Sequence, residues 1–213
     1  MRDAYHEQLD SVGHTLVEMA GLVGQALSRA TRALLDADLP SAEAVISADD
    51  AVDALHRGLD VRTLDLIARQ QPVAGDLRTL VASLRMSADL ERMGDLARHI
   101  AKVARMRYPE CAVPEDLRPT FARMGEIGAE LADKVARIVE DQDVEAARML
   151  ERQDDVVDRL HRAVFNALLS KETAYTIEAA IDVTLLSRYY ERFADHAVSV
   201  ARRLVFLVTG GDE

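Results

Sequence analysis

Carboxylates recur in this chain at a spacing that suits metal ligation. Glu91-Arg92-Met93-Gly94-Asp95-Leu96-Ala97 and Glu191-Arg192-Phe193-Ala194-Asp195-His196-Ala197 both read E-R-x-x-D-x-A, at an offset of 100 residues (191 − 91). Residues four apart on a helix share a face, so each copy presents two carboxylates roughly 6 Å apart. Two more acidic strips lie upstream, Asp49-Asp50-Ala51-Val52-Asp53 and Asp154-Asp155-Val156-Val157-Asp158, and Asp89 extends the first E-R-x-x-D-x-A strip. Candidate ligands are therefore Asp49, Asp53, Glu91 and Asp95 in the first half, and Asp154, Asp158, Glu191 and Asp195 in the second. Hard oxygen donors of this kind suit magnesium, manganese, calcium or iron better than copper.

A solvated polar face accounts for the same residues without a metal. Two like charges about 6 Å apart repel by about 0.7 kcal/mol in bulk water, or roughly 3 kcal/mol at an effective dielectric of about 20. Arg92, Arg188 and Arg192 stand nearby in sequence to offset that. On the last helix the apolar stripe reads Ile181, Leu185, Tyr189, Phe193, Val200 and Leu204, which predicts that Glu191 and Asp195 face outward. Spacing alone leaves both readings open. Asp53-x-x-His56 and Asp158-x-x-His161 add an acid–histidine pair to each half, a loose likeness to the Glu-x-x-His ligands of di-iron bundles. A di-metal carboxylate oxidase and a metal-free structural bundle are the rival functional classes. No Gly-rich phosphate loop, His-Glu-x-x-His or nucleophile elbow occurs in the chain.

The elements that must position these residues are helices. Of the 213 residues 49% are hydrophobic but only 4% aromatic, with no Trp, so the core must be built from Leu, Val, Ala, Met and Ile. Five prolines and ten glycines are too few for a strand-and-turn protein. The net charge of −11 argues against a nucleic-acid surface. The lone Cys111 has no internal partner, which together with a polar start predicts a cytoplasmic chain without a signal peptide. No apolar run approaches the roughly 18 residues of a membrane span.

The first helix is expected over about 3–36, on a stripe of Leu9, Val12, Leu16, Met19, Val23, Leu27, Ala30 and Leu34. Gly21 and Gly24 interrupt it and suit close helix contact. Asp38-Leu39-Pro40-Ser41 then starts a second helix running to about Gln70, and a third is expected over about 76–107. Three of the five prolines (Pro109, Pro114, Pro119) mark 109–119 as a linker. The second half repeats the first: residues 19–56 align without a gap to 124–161 at an offset of 105 (124 − 19), keeping Asp-Asp-x-Val-Asp. The offset falls to 100 at Glu191, so the second copy is five residues shorter near its second corner. The last helix, about 176–208, should stop at Gly210. The expected fold is all-α: two tandem, sequence-related antiparallel three-helix bundles, with units at 1–108 and 120–213. Helices two and three are antiparallel neighbours, so the acidic strips on them should meet in one groove per unit.

The two E-R-x-x-D-x-A segments resemble the repeated E-R-x-G-D-H-A segment of the PhoU family, and Gln71-Pro72-Val73-Ala74-Gly75-Asp76-Leu77-Arg78 is similar to that family's Q-P-x-A-x-D-L-R corner. The resemblance covers essentially the whole chain. It implies a cytoplasmic, non-enzymatic accessory regulator of phosphate-specific transport, often a homodimer. Such proteins restrain the phosphate ABC transporter and its ATPase subunit, and keep the phosphate-sensing histidine kinase off when phosphate is plentiful. Contact with the membrane is then only through the transporter. It also implies divalent or iron ions (iron, zinc, manganese or magnesium) on the E/D-x-x-x-D pairs, here Asp49 with Asp53, Glu91 with Asp95, Asp154 with Asp158, and Glu191 with Asp195. Leu96 stands where the first motif usually has His, Ala194 replaces the motif Gly, and the second half lacks the Q-P corner.

Overall fold

Helix starts and stops follow from local chemistry, and the repeat duplicates them. Asp38 accepts from the Ser41 backbone N–H at 3.2 Å and caps the second helix; Asp143, 105 residues later, accepts from Ala146 N–H at 2.9 Å and caps the fifth. Each such cap contributes about 1 kcal/mol. Both turns pass through a left-handed residue, Ala37 (φ 50°) and Gln142 (φ 53°), again 105 apart. Pro40 falls in a first helical turn, where its missing N–H costs nothing. Gly210 (φ 71°) closes the last helix, as expected.

The structure, a computed structural model, describes residues 2–170 and 175–211, with the side chains of 2–6 and 151–154 not included. Among the described residues six α-helices follow one another: α1 (Arg2–Asp36), α2 (Leu39–Gln70), α3 (Ala74–Arg107), α4 (Arg118–Asp141), α5 (Val144–Leu169) and α6 (Ile177–Thr209). The fold is all-α, with α1–α3 and α4–α6 as two tandem three-helix units. α5 has 26 residues against 32 for its counterpart α2, so the shortening of the second copy falls largely on this helix.

The apolar stripe of α1 is buried from Val12 to Leu34. It packs against α2 and α3 of its own unit and also against α4 of the other, while α3 packs against α6. Buried residues from both units form one continuous core, and the segment between them contributes Ala112, Val113 and Leu117 to it. Cys111 donates its thiol to the Leu34 carbonyl at 3.3 Å.

The crossing of α1 and α4 is close because small residues face each other. A Cβ on Gly24 would lie 3.0 Å from Ala132 Cβ, one on Gly128 would lie 2.4 Å from Leu27 Cδ2, and one on Gly125 would lie 2.5 Å from both Thr31 Cγ2 and Oγ1. Gly21 has open space instead. Thr31 cannot step aside: its Oγ1 bonds the Leu27 carbonyl at 2.8 Å and the fully buried Tyr190 hydroxyl at 2.9 Å. Across the other seam, Asp89 on α3 accepts from His196 Nδ1 (3.0 Å) and Arg203 Nε (2.6 Å) on α6. Arg107 on α3 reaches back to Asp182 on α6 at 2.6 Å. Both seams run antiparallel.

The α6 stripe departs from expectation. Ile181 is 54% exposed and Leu185 44%, whereas Asp182, Leu186, Ser187, Tyr190, Ala194 and Ala197 are buried beside Phe193. Buried Asp182 and Ser187 carry the packing row, and apolar counting passes over both. The inward face is therefore rotated, and Glu191 turns with it.

Replacing Gly125 by Val should cost about 1–3 kcal/mol through overpacking. At about 2–4 °C per kcal/mol for a chain of this size, the thermal midpoint falls by roughly 2–12 °C. Gly21→Ala, with space around it, should leave the midpoint unchanged or raise it through helix propensity. Thermal circular dichroism of the two variants checks the pair; equal midpoints would contradict the packed crossing.

The candidate acidic grooves

In the first unit α2 and α3 are held together along a line that runs through the predicted carboxylates. Gly94 allows the approach: a Cβ there would lie 3.1 Å from Asp49 Oδ1 and 3.4 Å from Val52. Asp49 is buried, Asp53, Glu91 and Asp95 are half-buried, and Asp50 is exposed. The structure brings all four predicted ligands of this half into one electrostatic neighbourhood. Burial pushes the Asp49 carboxyl up to about 6; the Arg98 charge opposes this, and Asp53, Asp95 and Glu91 add to it. Glu91 is likewise raised by burial and by Asp95, against Arg92.

Cations occupy this groove. Arg98 Nη1 stands 2.7 Å from Asp49 Oδ2, and its Nη2 bonds Asp95 Oδ1. The Asp49 contact is a charge pair without hydrogen-bond alignment, since Oδ2 has no aligned donor. Arg92 takes the other Asp95 oxygen at 3.0 Å and lies 3.6 Å from Glu91.

The second groove, between α5 and α6, repeats the frame with different charges. Fully buried Ala194 replaces Gly94. Contrary to the outward orientation expected from the α6 stripe, the Glu191 side chain is only 12% exposed; Asp195 is exposed and Asp158 half-buried. Arg188 pairs with Glu191 Oε1, while Oε2 is buried without a partner. Burial, Asp195 and Asp158 raise the Glu191 carboxyl against Arg188. The Asp154 side chain lies outside the described residues.

Sequence reasoning missed a second duplicated feature. His56 Nδ1 meets Ser87 Oγ at 2.7 Å, and His161 Nδ1 meets Ser187 Oγ at 3.0 Å. Each serine hydroxyl also reaches a carbonyl three residues earlier, Leu84 and Thr184, so it can donate there while accepting from the imidazole Nδ1–H. The signal was present as S-x-x-x-E-R in both halves. His56 Nε2 lies 3.7 Å from Asp60, and Phe165 takes the corresponding place beside His161, its ring 4.9 Å away. Each histidine bonds within its own unit, so the two Asp-x-x-His pairs do not build one shared di-metal site. Among the described residues no three His, Cys, Asp or Glu side chains already stand close enough together to hold a metal ion.

The fold and grooves define a class: a duplicated helical bundle in which each unit sets acidic side chains of two helices against each other. The PhoU domain family matches twice, over residues 16–104 and 121–204. The chain is 49% identical over 210 residues to the phosphate-specific transport system accessory protein PhoU homolog 2 of Mycobacterium tuberculosis, covering 99% of both chains. It is 46% identical to homolog 1 of Mycobacterium leprae, covering 99% of this chain and 95% of that one. The crystal structure of PhoU from Pseudomonas aeruginosa superposes with a TM-score of 0.88 at 27% identity, covering 97% of this chain and all of that one. The fold is also that of a phosphate transport system regulatory protein from Streptococcus pneumoniae, with a TM-score of 0.87 at 24% identity over 97% of this chain and 98% of that one. This chain belongs to the PhoU family, whose members are non-enzymatic accessory proteins.

The Asp49 shift makes a signed prediction for the metal-free protein. Its folded pKa of about 6 lies above the ordinary 3.8, so its stabilising contribution is complete below about pH 4 and is lost as pH rises through 6. Asp49→Asn should therefore raise stability at pH 8, by on the order of 2–3 kcal/mol at most, and leave it unchanged at pH 4. Urea unfolding with chelator at both pH values measures this; a destabilised variant at pH 8 would show that the Arg98 pair outweighs burial.

Proposed function

We propose that this protein is a negative regulator of phosphate uptake and phosphate-starvation signalling, acting by docking rather than by catalysis. In this reading it is cytoplasmic, works as a homodimer, and binds the ATPase subunit of a phosphate ABC transporter and a phosphate-sensing histidine kinase. The observation that carries the reading is the double PhoU match over both units, with the acidic grooves at equivalent places in each. The relatives' role as accessory proteins of phosphate-specific transport supplies the system. Among the described residues no helix is long and apolar enough to cross a membrane, so contact with a transporter would be made by docking.

Metal binding at the grooves is the second part of the reading, with iron, zinc, manganese or magnesium as the ions. The unpartnered, buried Oε2 of Glu191 supports it, because a buried carboxylate oxygen without a donor is costly and a cation removes that cost. Glu191, Asp195 and Asp158 are the described donors there, with Asp154 completing the motif pair by sequence. Loading requires these side chains to rotate toward one another. Asp49, Asp53, Glu91 and Asp95 form the matching set in the first groove.

Affinity capture of the tagged chain from phosphate-replete and phosphate-starved cells tests the docking reading. The transporter ATPase and a histidine kinase should be recovered, more strongly when phosphate is high; recovery of neither under both conditions refutes it. Metal binding is checked separately by melting the chelated protein with and without excess Mn²⁺. A bound ion raises the midpoint by mass action, by about 2.7 kcal/mol in stability at one hundred times its Kd. An unchanged midpoint removes the metal from the reading.

A further inference from the structure

The two grooves come from one repeat, yet they hold different cations. In the first, the Arg98 guanidinium lies between the facing carboxylate strips and joins them. One arm is 2.7 Å from Asp49 on α2, and another bonds Asp95 on α3. The side chain is only 27% exposed, and its Nε is buried without a partner, so the charge is seated in the groove rather than waving above it. Gly94 keeps Asp49 within reach of this arrangement. Arg92 holds the remaining Asp95 oxygen at 3.0 Å. Both the inner and the outer side of Asp95 are thus taken by guanidinium groups.

One hundred residues on, the position of Arg98 is Val198, 4% exposed in the core. Among the described residues no arginine, lysine or histidine forms an ion pair with Asp195 or Asp158. Arg188, itself 52% exposed, pairs with Glu191 Oε1, while Glu191 Oε2 is buried without a hydrogen-bond donor; Asp49 Oδ2 in the first groove also lacks an aligned donor but has the Arg98 charge 2.7 Å away. The first groove has an internal counter-ion bridging its two helices; among the described residues the second has none.

We propose that Arg98 is the resident cation of the first groove, and that the chain therefore takes its metal ion in the second groove, at Glu191, Asp195 and Asp158. A divalent ion entering the first groove would have to displace the guanidinium from both Asp49 and Asp95, or sit against a like charge. The same ion entering the second groove displaces no bridging guanidinium and supplies a partner for Glu191 Oε2. The repeat thus yields one fixed cross-link and one exchangeable one. This inference rests on the metal reading above and narrows it to one unit.

Equilibrium dialysis of the full chain against Mn²⁺, read by elemental analysis, tests it with three substitutions. Glu191→Gln should weaken manganese binding at least tenfold, whereas Glu91→Gln should leave it within twofold of the unsubstituted protein. Arg98→Met, which keeps the apolar stem and removes the charge, should add a second class of site, and Arg98→Lys should not. Circular dichroism confirms that each variant folds, and the Glu91 and Glu191 pair decides the question even if Arg98→Met does not fold. Equal losses from Glu91→Gln and Glu191→Gln overturn the proposal while leaving metal binding intact, as does an Arg98→Met protein that folds with unchanged stoichiometry. Absence of manganese from the unsubstituted protein and every variant overturns both this proposal and the metal reading.

Discussion

The close antiparallel crossing of α1 over α4 is the constraint on which the remaining structure depends. Gly24, Gly125 and Gly128 let the two backbones approach, with Leu27, Thr31 and Ala132 filling the space a Cβ would otherwise need. The approach allows Thr31 on α1 to bond the Tyr190 hydroxyl on α6, with Phe121 of α4 edge-on to the same ring at 5.9 Å. α1 thereby fixes the depth of α6, and α6 in turn fixes the face on which Glu191 sits. The two three-helix units share one core.

The opposite seam, between α3 and α6, uses charge rather than small residues. Burial pushes Asp89 up, but hydrogen bonds from His196 and Arg203 outweigh it and hold the carboxyl below its ordinary range. Asp182 is similarly buried and is paired with Arg107. Breaking a buried pair of this kind costs far more than the pair contributes relative to apolar packing, so these contacts specify the register of the seam more than they add stability. None of the five partners is duplicated: the residues 100 positions from Asp89, His196 and Arg203 are Tyr189, Leu96 and Val103, and those from Arg107 and Asp182 are Leu207 and Ala82.

The grooves show the same separation of frame from charge. Caps, left-handed turn residues, serine–histidine contacts and the E-R-x-x-D-x-A strips all recur. Arg98, Arg188, Asp60 and Phe165 do not recur, and these residues decide how each groove is neutralised.

The sequence by itself determined the helices, their caps and the duplication, because helix periodicity, Asp at the cap position and glycine at the stop act over a few residues. It also determined which strips meet, since a short corner makes α2 and α3 antiparallel neighbours. Only the tertiary structure decided which side of α6 is buried. That face is set by contacts with α3, α4 and α5 together, and its row includes Asp182 and Ser187, which no apolar count selects. The pairing of Asp49 with Arg98 is likewise tertiary. The two lie 49 residues apart in sequence, and only the Gly94 contact brings the carboxylate of one helix onto the guanidinium of the other.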